Sequence, residues 1–329
     1  MPRLALLATG GTIAGTGDPQ HYQAAVLGAD TLFAGVPALR EIADWHIEQI
    51  FQLDSRDLQP GHWLQLAERI SALQADPHID GIVITHGTDT LEETAFALHL
   101  LLPLGKPVVL TAAMRPSDAP DADGPGNLLQ AAWVAATPAA AAHGVLVVAN
   151  AHIIAGADLI KAHTSRVDAL RCRAGSEPIG HASSEHIDIH PAQVRSLRHA
   201  LPWPILGTLP RVDILYGCAG VSADLPGLCV TAGAQGLVLA LSGHGSIPEA
   251  WRSSLQTLMG HGIAVVRATR ITDGGVGNNC NEEDNIFGSL PAGMLSPQQA
   301  RVLLILALAA NSGTDLRALF RLAGGASPY

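Results

Sequence analysis

Along the first two hundred residues, short apolar runs alternate with longer runs of helical spacing. Residues 4–7 and 81–84 are apolar runs that each end on a small polar cluster, and residues 107–111 and 144–149 repeat the pattern. These four read as strands, and residues 92–102 and 127–136 between them read as helices. Strands separated by single helices predict right-handed βαβ units and a parallel sheet.

Polar residues and prolines take over from residue 185, with Pro191, Pro202, Pro204 and Pro210 close together, so residues 191–210 read as an interdomain linker. The pattern then restarts, with strands expected over residues 212–215, 236–240 and 262–267 and helices over 248–259 and 297–310. The expected architecture is α/β. A larger N-terminal, Rossmann-like parallel-sheet domain covers residues 1–190, and a smaller C-terminal α/β domain covers residues 211–329. The alanine-rich residues 131–142 are compositional bias, and no period of solenoid length is present.

Composition narrows the function. A chain of 329 residues with 48% hydrophobic content has material for two cores. Its formal charge of −10 and the lack of any basic patch argue against a nucleic-acid partner. Cys172, Cys218, Cys229 and Cys280 are scattered without C-x-x-C spacing and read as reduced thiols. The longest apolar run, residues 302–310, is too short to cross a bilayer, and the amino terminus lacks a signal-peptide core. A cytoplasmic location is expected, or a periplasmic one if a leader was trimmed. His181, His186 and His190 lie near Glu185 and Asp188, but no H-E-x-x-H spacing occurs, so neither a metal nor a cofactor is expected.

The candidate chemistry sits where two predicted strands end. Ala8-Thr9-Gly10-Gly11-Thr12-Ile13-Ala14-Gly15 follows the first, and Thr85-His86-Gly87-Thr88-Asp89-Thr90 closes the second. Ligands bind at the carboxyl edge of open α/β sheets. Two hydroxyl clusters there, one carrying a carboxylate, point to an active site built around a threonine nucleophile. The glycines do not fall as G-x-G-x-x-G and no G-K-[ST] follows, which argues against phosphate binding. No G-x-S-x-G elbow occurs. Helix capping competes for the second cluster, because Asp89-x-x-Glu92 and Thr90-x-x-Glu93 both fit a capping box. Capping and catalysis are compatible, since a helix amino terminus stabilises an anion.

These two motifs, together with Ala112-Ala113-Met114-Arg115-Pro116, Asp123-Gly124-Pro125 and Gln298-Gln299-Ala300-Arg301-Val302-Leu303-Leu304, resemble the bacterial-type L-asparaginase family over nearly the whole chain. The resemblance implies hydrolysis of L-asparagine to L-aspartate and ammonia through an acyl-enzyme, in a homotetramer built as a dimer of dimers. It implies Thr12 as nucleophile, Thr88, Asp89 and Lys161 as a second catalytic group, and Tyr22 on a mobile loop that closes over the site. Ser55 and Asp89 would hold the substrate's α-carboxylate and α-amino groups, with Gly11, Arg56, Gly87, Thr88 and Ala113 around them. Ser246 and Glu282 would come from the neighbouring subunit.

Several of these positions carry signals of their own. An amide carbonyl is a poor electrophile, so its hydrolysis needs an activated nucleophile, oxyanion donors and a proton for ammonia. Lys161 is one of two lysines, with Lys106, against seventeen arginines. An arginine cannot release its proton at working pH whereas a buried lysine can, so Lys161 reads as a lysine that must deprotonate. Tyr22 and Lys161 are both candidates to take the Thr12 proton.

Three departures from the family pattern stand out. Arg56 replaces the glutamine that many members carry; it points away, pairs with Asp54 or Asp57, or changes the preference between asparagine and glutamine. Ser246 stands where many members have asparagine. Asn281 and Glu282 are both candidates for the acid partner of the lid tyrosine, with Glu282 favoured. The alternatives are a mixed glutaminase-asparaginase, a relative acting on misacylated tRNA, and a silent amino-acid binding protein. Retention of Thr12, Thr88, Asp89 and Lys161 together argues against the last.

Overall fold

The computed structural model describes residues 1–18, 21–183, 186–191, 201, 208–310 and 315–324. The chain divides into two compact units, Met1–Val194 and Arg195–Tyr329.

In the first unit, β1 (Arg3–Gly10) is followed by two short helices, α1 (Ala29–Ala34) and α2 (Leu39–Ile42), and then by β2 (Asp44–Leu53). Helix α3 (Pro60–Ala75), β3 (Gly81–Thr85), α4 (Leu91–Leu101), β4 (Val108–Thr111), α5 (Gly124–Ala135) and β5 (Val145–Ala149) complete the repeating series. The five strands are parallel in the order β5-β4-β3-β1-β2. The chain therefore leaves β1 to one side and returns to pair β3 on the other, which puts the topological switch point at the carboxyl ends of β1 and β3.

Beyond β5 the sheet turns antiparallel. Strand β6 (His152–Ala155) pairs with β5, a hairpin of β7 (Leu159–Lys161) and β8 (Leu170–Cys172) projects from it, and β9 (Gly180–Ala182) and β10 (Ile187–Ile189) extend the sheet to eight strands.

The apolar run of β1 is continuous because both faces of the sheet are covered. Leu4 and Leu6 join Leu39, Leu128 and Ala132 in one core beside α2 and α5, while the strand period turns Ala5 and Leu7 to the opposite face. All four are fully buried, and truncating such a leucine to alanine costs about 2–5 kcal/mol.

Among the elements that the spacing does not predict are β2 and α3. Strand β2 is the edge of the sheet and only partly buried, so polar and apolar residues are interspersed along it. Helix α3 begins on Pro60, and a helix-opening proline reads as a break when taken alone. A further difference falls at the start of the polar stretch, where residues 187–189 pair into the sheet as β10. Most of the expected linker, residues 191–210, lies outside the described residues, as does Glu185 of the histidine group.

The second unit is a four-stranded parallel sheet of order β11-β12-β13-β14. Its elements are β11 (Val212–Tyr216), α6 (Leu225–Thr231), β12 (Gly236–Leu241), α7 (Glu249–Gly260), β13 (Ala264–Thr269), α8 (Asp284–Phe287), β14 (Leu290–Pro291), α9 (Pro297–Ala309) and α10 (Leu316–Gly324). Trp251 and Leu255 of α7 pack on Leu237 and Leu239 of β12. Helix α9 opens on a capping box in which the Ser296 hydroxyl accepts from Gln299 N–H at 3.1 Å. Among the described residues no helix is long and apolar enough to cross a membrane.

Candidate active site

The switch point brings the two threonine turns together, and two glycines make this possible. A Cβ on Gly11, whose φ is +79°, would lie 2.3 Å from the Gly87 Cα, and a Cβ on Gly87 would lie 2.6 Å from the Ser55 Oγ. The turns after β1 and β3 are thus stacked backbone on backbone, the β3 turn rests on the Ser55 side chain after β2, and any side chain at Gly11 or Gly87 would separate them.

Thr12 opens a buried 3-10 turn, residues Thr12–Ala14, directly after β1. Its Oγ1 lies 2.9 Å from the Tyr22 hydroxyl. The Tyr22 loop is tied down at both ends. Thr16 and Gln23 exchange backbone hydrogen bonds of 3.0 and 2.9 Å, and Val26 N–H donates to the Ala14 carbonyl at 2.7 Å. Asp118 accepts from Gly17 N–H at 3.0 Å. Tyr22 is itself partly exposed, so its hydroxyl sits between the buried Thr12 and solvent.

The second threonine belongs to a different group. Lys161, at the end of β7, donates from Nζ to Thr88 Oγ1 at 2.9 Å and to Asp89 Oδ1 at 2.5 Å. Thr88 and Ser55 are buried, while the Asp89 side chain is half exposed at 53%. Ser55 Oγ accepts from Asp89 N–H at 3.2 Å, which leaves the Ser55 hydroxyl proton free to donate outward. Thr90 does not cap α4 with its side chain; its hydroxyl donates to the Ser55 carbonyl at 2.9 Å. The capping reading of this motif is therefore not realised at Thr90, whose hydroxyl ties the β3 turn to the β2 turn.

Among the described residues, the backbone N–H groups of Thr88 and Ala113 have no hydrogen-bond partner, although both residues are buried. A buried, unpaired N–H is costly unless a ligand completes it. The Ala113 loop is shaped by Asp123, whose carboxylate accepts from Met114 N–H at 3.0 Å and from Arg115 N–H at 3.0 Å. His86, between Thr85 and Gly87, is fully buried, and burial pushes its imidazole down to about 4. It is neutral at working pH and donates from Nδ1 to the Gly87 carbonyl at 2.7 Å. A trans peptide holds its C=O and N–H on opposite sides, so this bond fixes the direction of the Thr88 N–H.

Glu92, in the first turn of α4, was read from sequence only as a capping partner. Its Oε2 accepts from the Lys161 backbone N–H at 3.2 Å, and burial raises its carboxyl from 4.5 to about 7. The folded protein thus holds a proton that the unfolded chain releases at the ordinary carboxyl value. Glu92 contributes stability that is fully present below about pH 4.5 and lost as pH rises through about 7. Glu92→Gln, neutral at every pH, is expected to melt close to the native protein at about pH 5 and several degrees above it at about pH 8. Thermal unfolding across pH checks this; a shift that does not change with pH would contradict it.

Arg56 pairs with Asp54 at 3.1 Å and lies 4.0 Å from Asp57, with its side chain 72% exposed. In the second unit, Ser246 and Asn281 meet at 3.2 Å on exposed turns. A fully buried ion pair holds those turns: Arg267 donates to Asp284 at 2.7 and 2.6 Å and to the Gly245 carbonyl at 2.8 Å. Glu282 is buried, and its carboxylate accepts from Ile247 N–H at 2.9 Å and from Arg252 at 2.8 Å. Asn281, not Glu282, is the residue these turns present to solvent. Among the described residues, no group of three or more His, Cys, Asp or Glu side chains is arranged to hold a metal.

Comparison with known proteins bears on the chain as a whole. The family described as "Asparaginase, N-terminal" matches residues 3–195, and "Glutaminase/Asparaginase C-terminal domain" matches residues 211–320. The chain is 40% identical over 314 residues to L-asparaginase 2 of Escherichia coli, covering 94% of this chain and 89% of that protein. It is 36% identical to the glutaminase-asparaginase of Pseudomonas fluorescens, covering 94% and 86%. The crystal structure of a probable cytoplasmic L-asparaginase from Campylobacter jejuni superposes with a TM-score of 0.91 at 36% identity, covering 98% of this chain and 99% of that one.

Proposed function

Because the chain belongs to the asparaginase family and hydrolyses L-asparagine, we propose that it does so through an ester on Thr12, formed in the first unit at the switch point. The observation that carries this reading is the pairing of a buried Thr12 Oγ1 with the Tyr22 hydroxyl at 2.9 Å. The Thr12 oxygen attacks the side-chain amide carbon. Its proton passes to the Tyr22 oxygen while the Tyr22 proton passes to the departing nitrogen, so ammonia leaves and the phenol is restored. The Thr88 and Ala113 N–H groups receive the oxyanion, aided by the positive end of α4.

The substrate's α-carboxylate accepts a hydrogen bond from the Ser55 hydroxyl, and its α-ammonium faces Asp89. Thr88 then positions the water that cleaves the ester and Lys161, as the neutral amine, takes its proton; Thr12 Oγ1 leaves as it regains a proton from the Tyr22 hydroxyl 2.9 Å away, the phenol is restored from the proton held on Lys161, and L-aspartate is released. Arg56, held by Asp54 and Asp57, leaves the substrate ammonium unopposed. L-glutamine is a second substrate candidate, favoured by the glutaminase-asparaginase relative. The working form is proposed as a homotetramer of paired dimers in which Ser246 and Asn281 of one copy border the Thr12 site of another. A cytoplasmic location is supported by four free cysteines and by the Campylobacter jejuni neighbour's description.

Ammonia release from L-asparagine and L-glutamine by the native chain tests the assignment, and a folded protein that releases none from asparagine would refute it. Tyr22→Phe is expected to lower kcat about 100-fold with little change in KM, because the relay is lost but Ser55 and Asp89 are untouched. Full turnover by this variant, measured by the same ammonia assay, would show that Tyr22 takes no part in proton transfer.

A further inference from the structure

The carboxyl group of Glu92 is an expensive choice for its position. It lies half-buried in the first turn of α4, where a glutamine would offer the same acceptor oxygen without a charge to desolvate. The function served by the charge is written in its contact: Oε2 accepts the backbone N–H of Lys161 at 3.2 Å. Strand β7 is only three residues long and is paired on one side by β8 alone. Lys161 is its last residue, so the strand ladder does little to fix the backbone from which Nζ must reach Thr88 Oγ1.

We propose that Glu92 is a positioning residue for Lys161: its carboxylate pins the end of β7 so that Nζ meets Thr88 and Asp89, and protonation of the carboxylate loosens the pin. An ionised acceptor holds an N–H about twice as strongly as a neutral one. The charged groups that act on Glu92 are Glu93, its neighbour on α4, and Lys161 on β7. Strand β5, also packed on α4, brings only Val145–Ala149. Helix α3 carries His62, Glu68 and Arg69; Glu68 is exposed and Arg69 is paired with Glu48. The Glu92 carboxyl, raised by burial to about 7, changes charge in the range where the enzyme works.

This inference rests on the proposed role of the Thr88–Lys161 pair. The test is kcat and KM for L-asparagine from about pH 5 to 9 in the native protein, Glu92→Gln and Glu92→Ala. The native kcat should fall as pH drops through about 7, and that inflection should be missing in Glu92→Gln, which keeps a neutral acceptor throughout. Glu92→Ala should lose kcat about tenfold with KM within about twofold. An inflection retained in Glu92→Gln, or native kcat in Glu92→Ala, would overturn the proposal. Should Glu92→Ala fail to fold, the near-isosteric Glu92→Gln profile decides alone. Native protein that turns over while all variants match it refutes only the role of Glu92; native protein without turnover refutes the functional reading beneath it.

Discussion

Thr12→Ala is expected to abolish asparagine hydrolysis, with a fall in kcat of about 10³-fold or more. Thr12 is buried in a turn closed by Gly11 and Gly15, and its hydroxyl touches Tyr22. Removing Oγ1 leaves the unpaired N–H donors of Thr88 and Ala113 and the Ser55–Asp89 pair in place. Binding of L-aspartate, followed by calorimetry, should therefore remain within a few-fold of native while ammonia release collapses. Loss of both together would mean that Thr12 supports the binding site and is not the group that reacts.

Lys161→Met is expected to cost about 10²–10³-fold in kcat, and Lys161→Arg nearly as much. Nζ bridges Thr88 Oγ1 and Asp89 Oδ1. Methionine keeps the unbranched apolar stem, one atom shorter, but removes both bonds and leaves the Asp89 carboxylate without Nζ. Arginine keeps the charge yet cannot give up a proton, and its planar fork does not fit a site made for one ammonium. If the lysine served only to neutralise Asp89, Lys161→Arg would retain most of the activity. Steady-state ammonia release from the two variants separates a proton carrier from a counter-ion.

The parts of this site that lie next to a strand end were legible in the sequence. Thr12 and Thr88 stand out because apolar runs stop abruptly at glycine-bearing polar turns, and Lys161 stands out because the chain otherwise uses arginine. The parallel sheet followed from the spacing of the same runs. What could not be read is what depends on register between distant segments. Strand β2 is an edge whose apolar residues are interspersed with polar ones, and its end carries Ser55, which the family resemblance alone singles out and which meets the β3 turn because Gly87 lets the two turns touch. Glu92 fits a capping box in sequence, yet its carboxylate turns to a strand 69 residues away. Asn281 and Glu282 are adjacent but face different surroundings; the Glu282 carboxylate is buried against Arg252 and Ile247 N–H, while Asn281 is exposed. A one-residue difference in exposure of that kind is made by packing, which no spacing rule reports.

Geometry alone presents two threonines with an activating partner, Thr12 with Tyr22 and Thr88 with Lys161, and the account stands on the first as nucleophile. The direct measurement is peptide mapping by mass spectrometry of native protein quenched in acid during turnover of saturating L-asparagine. An aspartyl ester on the peptide carrying Thr12 is the predicted result. The same ester on the peptide carrying Thr88 would contradict the account and make Lys161 the base of the first chemical step.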